Sequence, residues 1–228
     1  MSENFAINMD RTQRVVIDTL QQPWIGSPAE GVMRKPLERE AAERGQVTSI
    51  VQFAAGSSFS PHTHPMGEEI LVLSGVFEDE HAAYPAGTYL RNPPGSYHRP
   101  RSGEGCEILV KLDMFNENDL ELVVIDTYES TWHPGLVDGL SVMPLHDFNG
   151  EGTALVKWEA GTKFNPHTHP GGEEVYVIEG TFEDEEGRYP QGTWLRSPPY
   201  SRHHPFSTEG CVILVKTGHI YTLSLIHI

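Results

Sequence analysis

Eight residues able to hold metal ions recur in this sequence as two sets of four. Pro-His-Thr-His-Pro stands at 61–65 and again at 166–170, and each copy is followed after two residues by a Glu-Glu pair. A further His lies thirty residues beyond the first Glu of each pair, giving His62, His64, Glu68 and His98, then His167, His169, Glu173 and His203. Imidazole and carboxylate suit Zn²⁺, Fe²⁺, Mn²⁺ and Ni²⁺. In an extended strand, side chains alternate between two faces, so the members of each His-x-His pair point the same way and the Glu shares their parity. The remote His arrives from another strand and closes the set from the far side. Buried neutral imidazoles and carboxylates are costly unless paired or metal-bound. The expectation is up to two divalent ions per chain, with Zn, Fe, Mn and Ni all open. His204 is available beside His203, but parity and spacing favour His203.

The two sets belong to a longer duplication. An offset of 105 residues lays 53–112 on 158–217 with agreement at about six positions in ten, the internal self-similarity that marks repeated units. Further upstream the offset becomes 108, matching Val15-Val16-Ile17-Asp18-Thr19 to Val123-Val124-Ile125-Asp126-Thr127 and Trp24 to Trp132. The first copy therefore carries three extra residues, which the polar run at 38–45 accommodates as a surface turn. Each repeat is of ordinary domain size. The expected division is an N-terminal barrel at 1–114, a C-terminal barrel at 115–220 and a tail at 221–228 that has no counterpart in the first half and no assigned role.

Strand signals dominate both repeats. Short runs rich in Val, Ile, Leu, Phe and Tyr are punctuated closely by Gly and Pro, and no segment sustains a helical apolar period over three turns. The fold class expected is all-β, a sandwich or barrel with jelly rolls among the candidates. Phe59, Phe77 and Tyr89, with Phe164, Phe182 and Trp194, serve either as core or as pocket lining.

Composition excludes several function classes. With 16 Lys and Arg against 32 Asp and Glu, the formal charge is −16, and no basic stripe is present for phosphate contacts, so no nucleic-acid partner is expected. No uninterrupted apolar run is long enough for a membrane span, and the polar start lacks the features of a signal peptide, so a cytoplasmic location and no membrane partner are expected. There is no Gly-x-Ser-x-Gly elbow and no phosphate loop. The two cysteines, Cys106 and Cys211, occupy equivalent positions and form no framework. They are either small buried hydrophobes or thiols that respond to an oxidant.

Gly56, His62-x-His64, Glu68 and Gly75, repeated as Gly161, His167-x-His169, Glu173 and Gly180, resemble the first motif of the cupin superfamily. Pro85-Ala-Gly87 and Gly95-Ser-Tyr-His98 resemble its second motif, with Tyr200 standing in the second copy where the first has Gly95. The phrase Gly-Thr-x-x-Arg-x-Pro-Pro at 87–94 and 192–199 is most similar to the cupin-like domain of ChrR, a zinc-dependent anti-sigma factor. The resemblance implies a bicupin, two tandem small jelly-roll β-barrels, each with a three-His, one-Glu ion inside. It implies Glu68 and Glu173 as the ligands rather than Glu69 and Glu174. Arg91 and Arg196, on the strand leading to the last ligand, either bind an anionic ligand inside the barrel or cover strand surface. Only residues 1–13 precede the first repeat strand, so sigma-factor binding is not expected. Two functions follow: a metal-dependent sensory or ligand-binding module for a small molecule or oxidant, or a metal-dependent dioxygenase or isomerase acting on a diketone-like or phenolic substrate. A homodimer is implied by the family.

Overall fold

The computed structural model describes residues 6–42 and 44–220; the tail expected at 221–228 lies outside them. Among the described residues there is no helix, and hence none long and apolar enough to cross a membrane. All the strand pairing is antiparallel, as the short apolar runs and turn residues predict.

The chain forms two compact units, Met1–Met9 with Pro23–Ser130, and Asp10–Gln22 with Thr131–Ile228. In the first, the main sheet runs Val123–Asp126, Thr88–Asn92, Glu68–Glu78, Cys106–Leu112, Val47–Phe53, Val32–Arg39, Ile25–Gly26. The second repeats that order with Val15–Asp18, Thr193–Ser197, Glu173–Asp184, Cys211–Thr217, Glu151–Trp158, Leu140–Phe148 and His133–Pro134. The division at 114 and 115 is thereby replaced. Val15–Asp18 pairs with Thr193–Ser197, and its repeat equivalent Val123–Asp126 pairs with Thr88–Asn92, so each unit is completed by a strand from outside its own sequence block.

One long strand in each unit serves two sheets. Glu68–Glu78 pairs first with Cys106–Leu112 and then, past Gly75, with Ala83–Pro85 and Arg101–Ser102. Gly75 takes a positive φ of 70°, and a Cβ there would collide with the Gly105 carbonyl, so the bend requires glycine. Gly180 repeats this against Gly210. The bend folds the sheet over a core of Ile70, Val72, Phe77, Leu90, Ile108 and neighbours in the first unit, and Val175, Val177, Phe182, Leu195, Ile213 and neighbours in the second. Cys106 and Cys211 sit in these cores.

The three extra residues of the first repeat fall in the hairpin turn after Val32–Arg39, where the second repeat makes a tight Asn149-Gly150 turn with both φ positive. Glu38, placed in that turn by the sequence, belongs instead to the strand and is buried.

Candidate metal centre

Each candidate site is held on a short two-stranded ribbon and the first residue of the long strand. His62–His64 pairs with Ser96–His98, with His62 opposite His98 and His64 opposite Ser96. In the second unit His167 stands opposite His203. Residues directly opposite in an antiparallel pair share a face, so the three imidazoles converge. The glutamates enter from the adjoining strand ends. Glu68 pairs with Leu112 and Asn92, Glu173 with Thr217 and Ser197.

The donor atoms lie at the spacing of ligands around one ion. His64 Nε2 is 2.9 Å from His98 Nε2, and His203 Nε2 is 3.2 Å from both His169 Nε2 and His167 Nε2. Glu68 Oε2 stands 3.6 Å from His64 Nε2 and 3.4 Å from His98 Nε2. Glu173 stands 3.3 Å from His169 Nε2 and 3.6 Å from His203 Nε2. Donors ~2.1 Å from a common ion are ~3.0 Å apart at a right angle and ~3.4 Å apart at the tetrahedral angle. The observed edges fall around these values, so both sets fit a divalent metal. All eight sequence-predicted donors are thus brought together in two fours, and the three histidines of each set form a triad able to hold an ion.

Neighbouring groups fix which ring nitrogen faces inward. His62 Nδ1 lies 2.8 Å from the Ser60 carbonyl and His167 Nδ1 2.9 Å from that of Asn165. A carbonyl only accepts, so each Nδ1 carries the proton and each Nε2 presents its lone pair to the site. Asn92 donates to Glu68 Oε2 at 3.0 Å. The Asp79 carboxylate is 3.8 Å from His98 Nδ1, while its equivalent, Asp184, is gripped by Arg14 at 2.6 Å. Asn92, Asp79, Asp184 and Arg14 were not identified from sequence. Asn92 falls at a variable position of the phrase at 87–94, with Ser197 in the other copy, whereas Asp79 and Asp184 stand at the centre of a Glu-Asp-Glu run that both repeats carry at 78–80 and 183–185.

Burial and the neighbouring charges shift the titration of both donor types. Burial and the neighbouring His62 lower the His64 pKa to about 4. Burial, with the neighbouring histidines, also lowers His169 and His203 to about 4, and burial lowers His98. Burial raises Glu68, and burial followed by the nearby Asp184 charge raises Glu173 to about 8. The imidazoles resist protons and the carboxylates resist ionisation. A dication relieves both, since neutral imidazole and carboxylate are the forms it binds.

Arg91 and Arg196 do not enter the barrels. Arg91 stands opposite Glu69, on the face away from Glu68, where it pairs with Asp119 at 2.7 Å and lies 3.7 Å above the Phe115 ring. Arg196 faces the same outward side and donates to the Asp10 carbonyl at 3.0 Å. The inward residue is the next along each strand, Asn92 or Ser197. Glu69 and Glu174 also face outward, accepting from Tyr89 and Trp194. His204 is exposed and its backbone N–H caps Glu185, leaving the ligand position to His203. Cys106 and Cys211 are buried with thiols pushed up to about 11 by desolvation, surroundings that disfavour the reactive thiolate and favour the reading as small buried hydrophobes.

The second site is the more open: the His169 and His203 side chains are 16% and 11% exposed against 5% and 4% for His64 and His98. A cavity of about 370 Å³ reaches His167, His169 and Glu173.

Two antiparallel jelly-roll units, each with three histidines and a glutamate converging inside, define a bicupin. The model of the ChrR Cupin-like domain family matches residues 12–116 and 120–221, and the chain belongs to that family. The fold is shared with a candidate dioxygenase from Nostoc punctiforme, at 17% identity and a TM-score of 0.77 over 93% of this chain and 85% of that one. It is shared also with the protein Ylba of E. coli, at 16% identity and a TM-score of 0.69 over 96% of each chain. The oxalate decarboxylase of Lactobacillus farciminis, in a formate complex, matches at 13% identity and a TM-score of 0.63 over 91% of this chain and 87% of that one. Among curated proteins none matches the chain in sequence.

Proposed function

We propose that this chain holds one divalent ion in each barrel and presents it to a small organic molecule that binds through oxygen, with chemistry of the dioxygenase or isomerase type. The observation that supports this most directly is the convergence of three imidazoles and one carboxylate inside each barrel, a donor set that suits Fe²⁺, Mn²⁺ and Ni²⁺ as well as Zn²⁺. On an ion that takes six donors, four protein donors would leave positions open for a ligand. A bound ion supplies Lewis acidity and, where redox-active, a route for electrons to O₂. The chain's own residues do the rest: Ser60 and Asn165 hold imidazole tautomers, Asn92 orients the Glu68 carboxylate, and largely apolar side chains line the approach to the second site.

A second reading, a sensory module that binds a small molecule, draws on membership of the ChrR Cupin-like domain family. Its thiol-based form, in which Cys106 or Cys211 meets an oxidant, gains nothing from thiols this buried. Elemental analysis of protein purified without chelator separates the readings. Fe, Mn or Ni near two per chain, with O₂ consumption on adding a diketone or a phenol, supports the enzyme. Two Zn and no turnover support the sensory module. A chain that neither carries metal nor takes it up at micromolar concentration overturns the metal centre itself.

A further inference from the structure

The two barrels repeat their metal donors but not the wall beside them. In the second unit, Val142 pairs with Val156, which pairs with Ile213, and all three line the cavity that reaches His167, His169 and Glu173. Leu140, Trp158 and Phe182 extend the same apolar lining. Among the described residues, no lysine, arginine or aspartate lines this cavity. Its polar side-chain groups are the metal donors, Thr217, which stands opposite Glu173, and the indole N–H of Trp158, which is buried and makes no hydrogen bond among the described residues. The remaining lining side chains are apolar.

In the first unit the corresponding row is Arg34, Val51 and Ile108. Val32, two residues before Arg34 on the same strand, belongs to the barrel core, and Val51 packs against it. Strand parity therefore puts Arg34 on the inner face, where the second unit has Val142. An arginine here brings a fixed positive charge and a longer, bulkier side chain to a row that is valine, valine and isoleucine in the other barrel.

We infer that the two sites select different ligands, and that the C-terminal site takes an uncharged molecule with a metal-chelating oxygen head and an aromatic or branched apolar body, from which Arg34 bars the N-terminal site. This rests on the metal reading for the head group alone. The body is selected by the wall, and a volume of about 370 Å³ is that of a small pocket able to enclose a single-ring compound.

Benzohydroxamate and acetohydroxamate carry the same oxygen chelating head and differ only in the body, so the ratio of their affinities reports the wall independently of metal strength. Trp158 lines the cavity and its counterpart in the first unit is Phe53; a fluorescence change that is lost in Trp158→Phe is therefore that of the C-terminal site. The expected result on the metal-loaded full chain is benzohydroxamate tighter by about tenfold or more, from the burial of one phenyl group. In Val142→Arg that ratio falls to near unity while elemental analysis still finds both ions. Leu136 is an exposed residue at the cavity rim, so Leu136→Asp tests the same wall without threatening the fold and lowers the ratio severalfold. A wild-type ratio near unity, or a ratio unmoved by both substitutions, overturns the inference. If no metal is found, the metal reading fails separately. The wall is then tested on the metal-free chain with 2-naphthol: Trp158 quenching that Val142→Arg or Leu136→Asp weakens supports the inference, and quenching unchanged in both, or absent from the wild type, overturns it.

Discussion

Asn92 donates its side-chain amide to Glu68 at 3.0 Å, whereas the register partner of Glu173 is Ser197, whose shorter side chain has no such contact among the described hydrogen bonds. A partner that fixes a ligating carboxylate typically changes metal affinity by about 10–100-fold. Asn92→Ser, which installs the residue the second unit already uses, is expected to weaken metal binding at the first site by roughly tenfold and to leave the second unchanged. Calorimetric titration of the metal-free chain resolves the two sites; equal affinities before and after the change would show that the amide contact does not hold the carboxylate. The eight donors were legible in the sequence because parity along a strand, duplicated at fixed spacing, determines which residues can converge. The faces of Arg91 and Arg196 were not, because the sequence does not state which residue of the neighbouring strand stands opposite. Register puts Arg91 beside Glu69 and Asn92 beside Glu68, and that single step reverses the side.

At the scale of elements, the exchange of strands is what the repeat pattern left hidden. Val15-Val16-Ile17-Asp18-Thr19 and Val123-Val124-Ile125-Asp126-Thr127 are readable as strands from their β-branched content. Local sequence carries no information about which of two nearly identical sheet edges each one joins. The structure settles it with matching clamps: Thr19 donates its hydroxyl to the Gly192 carbonyl at 2.6 Å and Thr127 donates to Gly87 at 2.6 Å. Both threonines are buried. Removing one such hydrogen bond costs about 1 kcal/mol. Thr19→Val, at the start of the chain, is expected to speed amide hydrogen exchange along Thr193–Ser197 and to spare Thr88–Asn92, while Thr127→Val does the reverse. Protection lost equally in both strands, or in the sequence-adjacent one, would argue against the exchanged pairing. The hairpin turns were easier to read, since an insertion of three residues is tolerated only where the chain leaves the sheet.

Across the whole molecule, the excess of acidic residues gives a formal charge of −16, and two of those carboxylates, Glu68 and Glu173, are buried among histidines. The second site shows what this does to proton balance. Its His169 and His203 have folded pKa values of about 4, below the ~6.5 of an unfolded histidine. As pH falls from ~6.5 to ~4 the unfolded chain gains protons that the folded one does not, so the metal-free unit loses stability in acid. Glu173 works in the opposite sense. Its folded value of about 8 lies above the ~4.3 of a free glutamate, so the folded form keeps a proton that the unfolded chain releases, and stability is lost as pH rises from ~4.3 to ~8. At pH 7 His169 and His203 are already neutral and Glu173 is still largely protonated. Metal entry is therefore expected to displace a proton from the carboxylate and none from these two imidazoles, close to one proton per ion from the three groups. Calorimetric titrations in buffers of different ionisation enthalpy measure that number directly. The expected release from these groups is close to one at pH 7, falling towards zero by about pH 9, where Glu173 has ionised, and exceeding one below about pH 5 as His169 and His203 begin to protonate. Release absent at pH 7 and appearing only in acid would mean that Glu173 is ionised before the ion arrives and that burial does not govern this site.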